Sequence, residues 1–326
     1  MKRRTLIRAA AASVLALPVA GFTQTPLRRI GFLSGHSADS FPSRLAAFRA
    51  ALAEAGFVEG KNIVIEWRWA DGQYGRLPAL AAELVNKPVA VLATSGGTAA
   101  ALAAKAATSS IPVVVLTGSD FVKSGLVASL NRPGGNVTGI SQFSGDLGPK
   151  RLEILRELKP GITSVAVLVN PGSPAAETDT TLLHQACATV GCKLTVLKAT
   201  SAGEIDAAFT QLARRKPGGM LVYTDAFLDG QHVRIAAAVS RLAIPCVYGA
   251  RAYVAAGGLA SYGVNWEDTY HQSGAYVARI LKGSKPSDLP VTLPTKFEMT
   301  LNVKTAKTLK LKVPESVLLR VTETID

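Results

Sequence analysis

Residues 89–107 read VAVLATSGGTAAALAAKAA. Val89–Ala93 is a short apolar run, Thr94–Thr98 a small polar turn, and Thr98–Ala107 an alanine-rich helical stretch. Strand, glycine turn and helix in that order form half of a βαβ unit. The same pattern recurs on both sides. Further strand signals fall at Ile30–Leu33, Ile63–Trp67, Val113–Leu116, Val137–Ile140, Val165–Val169, Leu194–Leu197, Met220–Tyr223, Cys246–Tyr248 and Leu259–Tyr262. Helical periodicity fills most gaps; Phe41–Ala55, for example, carries Leu45, Phe48, Ala51 and Leu52 on one face. Alternating strands and helices predict an α/β fold with doubly wound parallel sheets.

The repetition breaks once. Five strands run to Ile140, a polar stretch follows from Ser141 to Pro149, and a second series begins near Arg151. Two such halves predict two lobes with a hinge and a cleft between them. Lobe 1 is expected to take residues 27–141 and about 264–290, and lobe 2 residues 142–263 and about 291–326. Trp266–Leu281 reads as a helix packing back on lobe 1. Pro286, Pro290 and Pro294 mark an extended crossing, and Phe297–Asn302 a last strand before a short helix.

In open α/β sheets, ligands bind beyond the carboxyl ends of the strands. The residues there are small and polar. They are Ser34-Gly35-His36-Ser37, Thr94–Thr98, Thr117-Gly118-Ser119-Asp120, Asn170–Ser173 and Thr224-Asp225. A glycine turn entering a helix offers free backbone N–H groups at the positive end of the helix dipole, and Ser95-Gly96-Gly97-Thr98 fits an anion in this way. Each turn alone is also an ordinary helix cap. Asp120 and Asp225 are the carboxylates placed directly after strands. They can serve as acid and base, hold an ammonium group, or cap a turn.

The 326 residues are 48% hydrophobic and 18% charged, a globular composition. No apolar run reaches the roughly 18–20 residues that cross a bilayer. Lys2, Arg3, Arg4 and Arg8 precede an apolar stretch from Ala9 to Val19 and the small Ala20 and Gly21, so residues 1–26 read as a secretory signal peptide. Arg3-Arg4 also suits twin-arginine export. The predicted location is periplasmic. The net charge of +13 falls to +9 without this leader, and its basic residues are scattered without interleaved aromatics. That predicts a solvated basic surface and no nucleic-acid partner. Cys187 and Cys192 are spaced to bridge or to pack as small hydrophobes. The sequence has no phosphate-binding loop, dinucleotide fingerprint, nucleophile elbow or zinc spacing, so no cofactor, metal or catalytic residue is expected.

Longer motifs carry a family resemblance. They include Phe48–Leu52 with Gly56–Asn62, Arg76–Leu84, GLVASLNRPGGNVTGIS at Gly125–Ser141, Ala255–Leu259 with Ser261-Tyr262-Gly263, Ile280–Gly283 and Pro294–Glu298. The chain resembles the substrate-binding subunits of ABC importers, specifically the tryptophan/tyrosine-type family with the type I periplasmic binding protein fold. The likeness spans nearly all of the chain after residue 26. It implies a monomeric, non-enzymatic protein that closes on a small solute and delivers it to an inner-membrane ABC permease. The implied solute is an amino acid, aromatic or branched. Ser95, Gly96, Gly97, Thr98 and Thr117 would serve its carboxylate, and Asp120 or Asp225 its ammonium. Ser34 and His36 would sit on the lobe 1 rim, with Ser119 in the same turn as Asp120. Asn170, Tyr248 and Tyr262 would close from lobe 2 or the hinge. Three positions depart from the family, which commonly has proline where Ala99, Phe121 and Ala226 stand; Phe121 is a candidate ligand surface. A sensor for a membrane receptor, or an α/β enzyme using Asp120 and Asp225, are the competing readings.

Overall fold

The computed structural model describes residues 27–142 and 144–326. The expected signal peptide, residues 1–26, lies outside them. Lobe 1 begins with β1 (Arg28–Ser34), α1 (Pro42–Glu54), β2 (Ile63–Trp69), α2 (Leu77–Val85), β3 (Val89–Ser95), α3 (Thr98–Ala107), β4 (Val113–Thr117) and β5 (Val137–Ser141). These strands form one sheet in the order β2-β1-β3-β4-β5, all parallel. Lobe 2 follows with α4 (Ser144–Leu158), β6 (Ser164–Val169), α5 (Ala176–Thr189), β7 (Lys193–Lys198), α6 (Ala202–Arg215) and β8 (Gly219–Val222). It continues through α7 (Ala226–Gly230), α8 (His232–Arg241), β9 (Cys246–Tyr248), α9 (Arg251–Ala255) and β10 (Ala260–Val264). Helix α10 (Trp266–Leu281) returns to lobe 1. The chain ends in lobe 2 with β11 (Phe297–Asn302), α11 (Val303–Thr308), α12 (Glu315–Leu318) and β12 (Glu323–Ile325). The second sheet runs β12-β11-β10-β9-β8-β6-β7, with β11 antiparallel to β10. Phe297–Asn302 is therefore not the last strand, because Glu323–Ile325 pairs beside it.

Central strands buried on both faces must be apolar throughout, and β4, β6 and β8 are. Each sheet face has its own core. In lobe 1, Phe32, Phe48, Tyr270 and Val277 pack on one face, and Leu33, Leu84, Ala101 and Phe121 on the other. In lobe 2, Leu155, Val167 and Leu301 oppose Leu168, Phe209 and Tyr248. Cys187, Cys192 and Cys246 are buried free thiols.

Three chain crossings join the lobes, after Ser141, at Asn265 and after Thr292. They are laced together: Thr292 N donates to Gly139 O at 3.0 Å, Ser141 N to Thr292 O at 2.9 Å, and Asn265 N to Lys296 O at 3.0 Å. Asn265 also caps α10, its Oδ1 accepting from Asp268 N at 2.8 Å.

Helix α10 reaches lobe 1 through a close backbone approach to α1. A Cβ on Gly274 would lie 2.4 Å from the Phe48 carbonyl oxygen. Gly274→Ala is expected to force the helices apart and cost about 1–3 kcal/mol of unfolding free energy. Urea unfolding would measure this, and a variant as stable as wild type would show that α1 and α10 do not depend on contact at this point.

Candidate functional site

The carboxyl ends of both sheets face each other. On the lobe 1 side, β1 ends at Ser34, which is fully buried. Its Oγ accepts from His36 N and from Ser95 Oγ, each at 3.1 Å. These bonds fix the turn that delivers His36 to the interior. The His36 ring packs edge-on against Phe41 with centroids 4.9 Å apart. It also bonds the backbone of Ala226 in lobe 2. Its Nδ1 is buried without a partner. Burial, reinforced by nearby Arg44, pushes the His36 pKa down to about 3 and keeps the ring neutral.

Arg44 stands in the first turn of α1 and is only 4% exposed. Its guanidinium lies 3.6 Å over the Phe41 ring and 4.3 Å from the Trp266 ring centroid. Cation–π attraction to both rings holds it in place. Its Nη1 has no partner, nor does the neighbouring Trp266 Nε1. Burial lowers the Arg44 pKa, with Tyr270 and Asp229 acting against it.

From lobe 2 comes the short helix α7. Asp225 caps it, its Oδ1 accepting from Phe227 N at 3.0 Å and Leu228 N at 3.2 Å. Asn170 Nδ2 donates to the same oxygen at 3.0 Å. The other oxygen accepts the hydroxyl of Tyr74, which crosses from lobe 1. Ala226 N in turn donates to the Tyr74 hydroxyl at 3.2 Å. Burial raises the Asp225 pKa against these bonds. One turn further on, Asp229 is 2% exposed. Its Oδ1 accepts from Tyr253 at 3.1 Å, while Oδ2 has no partner. Burial pushes its pKa up to about 7, although Arg44 and Arg151 both oppose this. Arg151 is itself buried and donates from Nε to Tyr262 O at 2.8 Å.

The structure brings some expected residues together and separates others. Ser34 and His36 lie inside, not on a rim. Thr98 and Thr117 hydroxyls bond one another at 3.1 Å beside the Ser95–Thr98 turn. Gly96 and Gly97 adopt φ of 75° and 103°, the left-handed region. The Tyr74 hydroxyl stands over this turn, 3.8 Å from where a Gly97 Cβ would lie. Asp120 accepts from Val122 N at 2.9 Å and Lys123 N at 3.1 Å, so it caps its own turn. Asp120 and Ser119 nevertheless line an inter-lobe cavity of about 270 Å³ with Thr98, Leu102, Pro174 and Asp179. Asp225 is engaged on both oxygens by the protein itself. Tyr248 points away from the cleft, stacked on Tyr253 in the lobe 2 core. Tyr262 stacks on Phe297 near the hinge and offers its carbonyl to Arg151. Phe121 is fully buried in the lobe 1 core, so packing rather than a ligand claims it.

Arg44, Asp229, Tyr74, Arg151 and Trp266 are absent from the sequence-derived set. One signal was available. Arg44 falls on the buried stripe of α1 with Phe48 and Ala51, and a charge on such a stripe needs a partner.

The sequence pattern of the ABC transporter substrate binding protein family matches residues 30–325. The chain belongs to that family. A tyrosine-binding protein of Clostridioides difficile (strain R20291) is 27% identical over 246 residues, 75% of this chain and 70% of the relative. A conserved domain protein of Vibrio cholerae has a TM-score of 0.85 at 27% identity, covering 91% of this chain and 99% of that one. An L-Trp complex from Streptococcus pneumonia has a TM-score of 0.84 at 25% identity, covering 92% and 100%. The ligand-free, open structure of a Clostridium difficile substrate binding protein scores 0.66, also at 25% identity, covering 91% and 99%. In this substrate-binding protein the lobes meet where the Tyr74 hydroxyl contacts Asp225 and Ala226. It is a binding protein, not an enzyme. Among the described residues no helix is long and apolar enough to cross a membrane.

Tyr74→Phe removes the inter-lobe hydroxyl. A hydrogen bond to a charged group contributes about 1.5–3 kcal/mol, so the ligand-free variant should open and its radius of gyration should rise in small-angle scattering. An unchanged profile would show that this bond does not hold the lobes.

Asp229 makes stability depend on pH. The unfolded chain ionises it near pH 4, the folded chain only near 7. Across that window the folded state holds the extra proton, so this contribution is present in acid and lost as pH rises. His36, held neutral, contributes with the opposite sign between about pH 3 and 6.5. Asp229→Asn should therefore gain on wild type from pH 4 to 7 in urea unfolding. A constant difference would place the Asp229 carboxylate in water.

Proposed function

We propose that this protein is the solute-capturing subunit of an ABC importer, exported to the periplasm by its N-terminal segment. It closes on an amino acid, aromatic or branched, and hands it to a permease in the inner membrane. One observation carries this reading. Buried polar atoms without a protein partner lie just beyond the carboxyl ends of strands in both lobes: His36 Nδ1 and Arg44 Nη1 in lobe 1, Thr224 Oγ1 and Asp229 Oδ2 in lobe 2. Buried polar groups are normally hydrogen-bonded. A small polar solute shared by both lobes would satisfy them and favour closure, because ligands shift open–closed equilibria by their preference for one state. The tyrosine-binding relative and the L-Trp complex support an amino acid.

A thermal-shift screen of the chain without residues 1–26, against the amino acids and a panel of small carboxylates, tests this. A ligand at 100 times its Kd adds about 2.7 kcal/mol, which raises the melting point by several degrees. The bound solute should be recovered chemically unchanged. Silence across the panel would overturn the amino-acid assignment, and a converted product would overturn capture and delivery.

A further inference from the structure

We infer that Arg44 and Asp229 are the two anchors of an α-amino acid, one on each lobe, the guanidinium taking the carboxylate and the Asp229 carboxylate taking the ammonium. This rests on the reading that the cleft captures an amino acid, and it assigns which groups select that class.

Both side chains are more than nine-tenths buried, and each keeps one charged-group atom unpartnered. They lie near enough to influence one another electrostatically. Neither takes part in an ion pair among the described residues, so they do not meet directly. A guanidinium buried in one lobe and a carboxyl group buried in the other, with no ion pair between them, match a ligand that carries both charges itself. The surroundings give each anchor a direction. Phe41 and Trp266 both lie against the Arg44 guanidinium, and its unpartnered Nη1 is left for a carboxylate. Tyr253 occupies one oxygen of Asp229 and leaves the other free. His36 Nδ1, buried and without a partner, is a further polar position for the ligand beside these two.

The arrangement also selects against near relatives. A simple carboxylic acid would satisfy Arg44 and leave Asp229 buried without a partner. A simple amine would do the reverse. A buried charge left unpaired is penalised more than a pair gains. The same geometry gives a reason for two-lobe capture, since each lobe alone holds only half of the recognition.

The test is isothermal titration with three probes: the best L-amino acid from the thermal-shift screen, its des-amino acid and its decarboxylated amine. Wild type should bind the amino acid and each truncated probe roughly 10- to 100-fold more weakly. Arg44→Gln should bind the amino acid about as weakly as the amine, with the amine little changed. Asp229→Asn should do likewise for the des-amino acid. Arg44→Lys keeps the charge and should retain preference for the carboxylate at lower affinity; melting curves of all variants establish that they are folded. If both variants weaken all three probes alike, or bind the amino acid as wild type does, the anchors are wrong while the capture reading stands. If wild type binds the truncated probes as tightly as the amino acid, the zwitterion assignment also falls. If wild type binds no amino acid, the capture reading itself fails and this inference with it.

Discussion

A tyrosine hydroxyl from one lobe reaching a carboxylate of the other, Tyr74 to Asp225, sets the state in which every other polar group of the cleft is found. The bond is possible because β8 ends in a turn whose Asp225 already accepts from Asn170 Nδ2 and two backbone N–H groups. That carboxylate is fixed before the Tyr74 hydroxyl arrives. With the lobes drawn together, His36 meets Ala226, Gly72 lies against Phe227, and Arg44 and Asp229 are shut away from water. The perturbed pKa values of His36 and Asp229 are consequences of this closure, since desolvation is the largest cause in each.

Closure therefore carries opposing terms. It gains the cross-lobe bonds, and it strips water from a guanidinium and a carboxylate that do not pair with each other. An unpaired buried charge costs several kcal/mol. Stacking of Arg44 on Phe41 and Trp266 offsets part of that, as does neutralisation of Asp229. The closer these terms come to cancelling, the smaller the differential affinity a ligand needs to shift the equilibrium between the lobes' arrangements. A cleft fully satisfied by its own residues would have no such sensitivity.

Fold and site were unequally legible in the sequence. Every strand up to β10 was, because the central parallel strands are buried on two faces and read as short apolar runs. The edge strand Glu323–Ile325 was not, since three half-exposed residues leave no such run. The polar turns were legible as turns, but their residue types do not say which oxygen faces inward. Asp120 and Asp225 have the same place after a strand and both cap turns, yet only Asp225 also bridges the lobes. Tyr248 illustrates the period-2 rule: it ends β9 on the face toward α9, where Tyr253 waits, so it belongs to the lobe 2 core. Arg44 escaped because its burial depends on Trp266, more than two hundred residues away.

The departures from the family also acquire a physical meaning. At Ala226, where the family resemblance leads to an expectation of proline, the backbone N–H donates to the Tyr74 hydroxyl at 3.2 Å. Proline has no N–H to give. With alanine, the tyrosine hydroxyl donates to Asp225 and accepts from the next residue, so both its hydrogen-bonding capacities are used at a single lobe junction. The lobe 1 turn facing Ala226 has room only for glycine: a Cβ on Gly35 would lie 2.2 Å from the Gly96 carbonyl oxygen and 3.2 Å from the Ala226 Cβ. Phe121, another of the three positions where proline is the expectation, fills the lobe 1 core together with Leu126. One departure thus bears on how the lobes meet and the other on how the lobe 1 core is filled, while the charged anchors stand on separate elements, α1 and α7.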